Sequence, residues 1–248
     1  MVLIFILAIL FSSTDLQAFV LLSGPTEARM DVTEENPRIV FELSLNPPSI
    51  KEKDEFLDGA YADLSDEDFW LTLVQLAIRP WNDVADSYLE MDVAFSDYAT
   101  LDKEDRIFSI VVGKTNLTTS AYAAPGIEGK TIVDCDIAVS ERGATARSLA
   151  FTLMHEIGHC LGLGHNHSDY SAVMGYARTD RSLNLGLDDE AGLIYLYPLS
   201  TIGEPQELAG CGVISGSTPN STTLALVLLT PICLPLTRRL REKFKPRA

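Results

Sequence analysis

Residues 155–165 read His155-Glu156-Ile157-Gly158-His159-Cys160-Leu161-Gly162-Leu163-Gly164-His165. They close a stretch, residues 145–161, in which Leu149, Leu153, Ile157 and Leu161 recur every four residues, the spacing of one helical stripe. Side chains four apart lie one turn above each other on the same helix face, so His155 and His159 can hold one ion between them. Gly162, three residues after His159, can adopt a positive φ, end the helix and turn the chain sharply. That turn lets His165 swing back as a third ligand. Three imidazoles with an open fourth position describe a catalytic zinc site, whereas structural zinc sites are closed by four protein ligands. Glu156, beside His155, is then placed as a general base toward a water activated by the metal. The chain has only four histidines, and three of them occupy these positions. The fourth, His167, reads as a polar loop residue.

Outward from this motif, three strand-like runs at residues 89–95, 106–112 and 130–139 precede the helix, rich in Ile, Val and Phe. Before them, Ser65 and Asp68 form an N-cap pair, and Phe69, Trp70, Leu73, Val74, Ala77 and Trp81 recur at helical spacing. This predicts a first helix over residues 65–86, kinked or interrupted at Pro80. Residues 37–45 read as a strand ahead of it. A short last helix is expected at residues 187–197, where Asp188, Asp189 and Glu190 suit the positive end of the helix dipole.

The 248 residues, 46% hydrophobic and 22% charged, suffice for one packed domain with terminal segments. With 19 Lys and Arg against 35 Asp and Glu, the chain repels a phosphate backbone, which excludes nucleic acid as a partner. The charge is uneven, because six of the basic side chains crowd into residues 238–248. Without residues 1–18 and 238–248, 13 basic and 33 acidic side chains remain, a net charge of −20. Solubility explains such a body. A structural Ca2+ is compatible with it, although no EF-hand or Gly-Asp repeat is present.

The two ends read as sorting signals. Residues 1–11 are unbroken apolar, and Ala18 offers a cut before Phe19, the pattern of a signal peptide over residues 1–18, although its start carries no Lys or Arg. After the body, residues 19–200, comes a Gly/Ser/Thr/Pro-rich linker at 201–223, an apolar segment at 224–236 and a basic tail at 237–248. The apolar segment is shorter than the roughly 20 residues of a full span and carries Pro231 and Pro235, so it is expected to serve as a sorting or anchor segment. The expected location is secreted or cell-surface, with membrane contact through this segment. Export permits disulfides. Cys135 and Cys160 lie in the body while Cys211 and Cys233 lie in the tail, so a Cys135–Cys160 bond is expected, the alternative being two buried thiols.

The extended motif matches HExxHxxGxxH in full and is followed by Ser171-Ala172-Val173-Met174-Gly175-Tyr176. The sequence therefore resembles the metzincin zinc endopeptidases and, in its order of elements, the matrixins. The resemblance implies an α+β fold, a metzincin-like catalytic domain with a twisted mixed sheet, a first helix, an active-site helix and a short C-terminal helix. It implies one catalytic Zn2+ on His155, His159 and His165, Glu156 as the base, Met174 as the hydrophobic floor of a Met-turn, and Gly162 as the turn that brings in the third ligand. A polypeptide substrate would add to the sheet's edge strand. By position that edge is residues 119–125, with Ser120, Ala121, Tyr122 and Ala123, an ordinary loop being the equal alternative. Tyr176 sits two residues after Met174, as in astacins and serralysins, and would face the metal as a catalytic side chain. Asn166 follows the third histidine, where matrixins carry Ser, astacins Glu and serralysins Pro.

No histidine remains for the second, structural zinc of vertebrate-type matrixins. No cysteine-switch motif precedes the first strand, so latency through a propeptide is not expected. The sequence thus points to an exported, monomeric zinc endopeptidase. Two other readings stay open: a catalytically silent metal-binding adhesion protein, and a processing protease dedicated to one partner.

Overall fold

The computed structural model describes residues 19–22, 27–102, 105–113, 120–167, 169–175, 178 and 182–200. The expected signal, linker, anchor and tail segments lie outside them. Among the described residues eight strands are present: β1 (Arg29–Met30), β2 (Arg38–Leu43), β3 (Ile50–Lys51), β4 (Glu90–Phe95), β5 (Phe108–Gly113), β6 (Ala121–Glu128), β7 (Thr131–Ser140) and β8 (Ala144–Thr145). Three helices, α1 (Asp66–Asn82), α2 (Ala146–Cys160) and α3 (Leu187–Leu196), accompany them. The main sheet runs β1-β7-β5-β2-β4, with β6 paired to β7. All pairings are parallel except β6 with β7, so the sheet is mixed and the fold is α+β.

Parallel neighbours need a crossover, and α1 supplies the one between β2 and β4. It begins where Ser65 accepts a hydrogen bond from the Asp68 N–H. The predicted stripe from Phe69 to Trp81 is fully buried, joined by Ile78. The helix runs through Pro80 rather than breaking there, and ends at Asn82, short of the expected residue 86. Pro80 lies in the last turn, where its missing N–H removes a single ladder bond.

Strand β7 is central, and from Asp134 to Ser140 every side chain is buried, as befits a strand covered on both faces. Cys135 bonds to Cys160 at the end of α2, with the Cα atoms 5.6 Å apart. Helix α2 packs against α1, and the Trp81 indole donates to the Met154 carbonyl at 3.2 Å.

The sequence pattern of short strands skipped β6, whose Ala-rich run lacks the alternation of the others. Among the described residues it forms an outer strand of the sheet, paired only with β7. Pro125 is tolerated there because an edge strand has one side of its ladder free.

Residues 20–22 strap the turn that follows α2. Leu22 N–H donates to the Gly162 carbonyl and Gly164 N–H to the Val20 carbonyl, both at 2.8 Å. The buried Tyr197 hydroxyl accepts from the Met30 N–H and donates to the Leu161 carbonyl, which joins β1, helix end and α3.

Candidate metal centre

His155 and His159 project from the last turns of α2. Beyond Cys160 the chain reverses at Gly162, whose φ is +102°. A Cβ there would lie 2.1 Å from the Ala28 carbonyl oxygen, so the turn requires glycine on both counts. The reversal returns His165 to the helix. Its Nε2 lies 3.1 Å from Nε2 of His155 and 3.1 Å from Nε2 of His159.

The outer nitrogens are committed elsewhere. His155 Nδ1 donates to the Val173 carbonyl at 2.7 Å and His159 Nδ1 to the Leu163 carbonyl at 2.8 Å. In the neutral rings this leaves both Nε2 atoms as bare acceptors aimed at one point. Burial lowers the pKa of all three imidazoles, His159 to about 4, which keeps them in the ligating form at neutral pH. Tetrahedral nitrogens at the usual Zn–N length of about 2.05 Å would stand about 3.3 Å apart. The two 3.1 Å separations and the inward lone pairs therefore fit zinc. Among the described residues this is the one group of three or more such side chains placed to hold a metal ion.

Glu156 is buried, and its Oε2 accepts the Ala123 N–H of β6 at 2.7 Å. Burial pushes its carboxyl up to about 7, a rise that the Ala123 bond opposes. Ala123 is thus the expected edge-strand residue that reaches the centre. Ala121 is buried, Tyr122 is 40% exposed, and Ser120 precedes the strand and accepts the Ser140 N–H at 2.8 Å.

Met174 is buried directly against α2. A Cβ on Gly158 would lie 2.3 Å from its sulfur and 3.2 Å from Trp81, so glycine lets the turn approach the helix beneath the histidines. Tyr176 lies outside the described residues.

One member of this neighbourhood escaped the sequence reading. The Asp189 carboxylate accepts N–H groups from Val173 at 2.6 Å, Met174 at 3.1 Å and Gly186 at 2.8 Å. It therefore pins the same peptide segment whose Val173 carbonyl orients His155. In the sequence, Asp189 stood among three acids that the helix dipole alone explained.

Comparison with curated proteins yields no match. Residues 65–198, more than half of the chain, match the family model of the matrixins, and this span contains α1, the sheet strands β4 to β7, the three histidines and α3. The chain belongs to the matrixin family of zinc metallopeptidases.

Proposed function

We propose that the protein is an exported endopeptidase that hydrolyses extended polypeptides, with His155, His159 and His165 holding one Zn2+ and Glu156 acting as the general base. Zinc, when bound, supplies a Lewis acid for the scissile carbonyl and lowers the pKa of water toward about 7. Glu156 takes a proton from the attacking water and returns it to the leaving amine.

The observation that carries this reading is the bond from the Ala123 N–H to Glu156, which joins the outer strand of the sheet to the residue beside the first ligand. A peptide adding to β6 would lie against the same carboxylate, its main chain held by backbone groups along the strand's outer edge. Tyr176 would steady the developing oxyanion. Residues 1–18 would be removed on export, and residues 201–248 would retain the enzyme at the surface.

Stripping the metal from the full chain with a chelator should abolish hydrolysis of an unfolded protein substrate, and added zinc should restore it. His159→Ala should bind no zinc and show no hydrolysis. Hydrolysis that persists in saturating chelator would overturn the proposal.

A further inference from the structure

Asn166 follows the third histidine and is 4% exposed, an unusual degree of burial for a carboxamide in a loop. Its backbone N–H donates to the Met174 carbonyl at 2.9 Å, and it pairs with Gly175 as a one-residue parallel bridge. Its side-chain Oδ1 accepts the Asp169 N–H at 3.2 Å. Its Nδ2 donates to the Asp188 carboxylate in the first turn of α3. The next residue on that helix, Asp189, holds the Val173 and Met174 amides, and the Val173 carbonyl holds His155. A continuous chain of contacts therefore runs from the third ligand to the first without passing through the metal.

We propose that Asn166 is a positioning residue, which sets His165 against His155 and His159 by tying the ligand loop at once to the Met-turn and to Asp188. The proposal rests on reading the three histidines as a zinc centre. The demands of the position favour asparagine over serine, glutamate or proline. Proline has no N–H for Met174. Glutamate would set a second carboxylate against Asp188, with Asp169 and Asp189 already close. Serine carries one hydroxyl on a shorter side chain, whereas Asn166 reaches Asp188 and the Asp169 N–H with two separate atoms, Nδ2 and Oδ1. Asparagine meets all three demands.

The test exchanges the two partners. N166D faces two carboxylates against each other; N166D/D188N restores the pair with donor and acceptor reversed, while Asp at 166 still accepts the Asp169 N–H. Zinc affinity of the full chain is measured by competition with a chromophoric chelator, and ligand geometry by the visible spectrum of the Co2+-substituted protein. N166D should bind zinc roughly ten-fold more weakly and alter the Co2+ spectrum, the size expected for disturbing an outer layer of a metal site. The exchanged pair should recover most of the affinity and the original spectrum. Should N166D not fold, D188N serves as the single variant in the same comparison.

Wild-type affinity in N166D, or an exchanged pair as weak as the single variant, would overturn the proposal and leave the metal centre standing. A wild-type chain that holds no zinc would overturn the metal centre itself, and the proposal with it.

Discussion

Removing the Cys135–Cys160 bond tests how the ligand-bearing end of α2 is held to the sheet. The two cysteines are 25 positions apart, and closing a loop of that size removes about 12 cal/mol/K from the unfolded ensemble, about 3.5 kcal/mol at 25 °C. Both cysteines are fully buried, so replacing them together by alanine leaves a small void that adds to this figure. For a domain of this size each kcal/mol moves the melting temperature by about 2–4 °C, giving a fall of about 7–14 °C. Cys135→Ala/Cys160→Ala should be compared with the oxidised wild type by urea titration and by thermal scan, with zinc fixed at the same concentration in both. Wild type melted in reductant should approach the double variant. A difference below about 1 kcal/mol, or free thiols found at Cys135 and Cys160 when the denatured, unreduced wild type is labelled, would refute the reasoning.

Gly162→Ala should be among the most damaging single changes, because it combines a φ of +102° with a Cβ 2.1 Å from a carbonyl oxygen. A loss of about 2–4 kcal/mol in urea titration, with weaker zinc retention as His165 shifts, is expected; a loss under 1 kcal/mol would contradict the turn as drawn. Asp134 offers a pH test. Burial, and then Asp105 beside it, push its carboxyl up to about 6, above its unfolded value of about 3.9. Between those values the folded chain binds more protons than the unfolded one, so this group's contribution to stability falls as pH rises through that window. Asp134→Asn should therefore be more stable than wild type at pH 7.5, with the gain gone at pH 4. A variant less stable at pH 7.5 would show that the charged carboxylate is welcome there.

The first two helices were legible from their periodic apolar stripes, the last from the acids at its start, and four of the strands from runs rich in Ile, Val and Phe bounded by polar loops. The Ser65 cap reappears as an exposed N-cap bond, and the stripe from Phe69 to Trp81 and the stripe along α2 reappear as buried contacts. Strand β6 was not readable from periodicity, since Ala121 to Gly126 offers small side chains on both faces and a proline; only the family resemblance placed an edge there. The three histidines were legible because their spacing is a local, helical property followed by one glycine turn. Their orientation was not. It depends on the Val173 and Leu163 carbonyls, backbone groups that no side-chain pattern announces. Asp189 was invisible for a similar reason: a carboxylate that accepts three amides from a distant turn looks, in sequence, like any acid at a helix start. Asn166 did stand out in the sequence, as a departure from the family's usual residues, but its partners became apparent only when the ligand loop and α3 were brought together.

Hydrolysis of a mixed peptide library by the full chain, read by mass spectrometry beside Glu156→Ala with zinc content measured in both, tests the catalytic claim most directly. The wild type should cut within extended peptides, and Glu156→Ala should keep its zinc and lose cleavage by about a hundred- to ten-thousand-fold. Equal cleavage by the two proteins would contradict Glu156 as the base, and zinc-loaded wild type that cuts nothing would contradict a general endopeptidase.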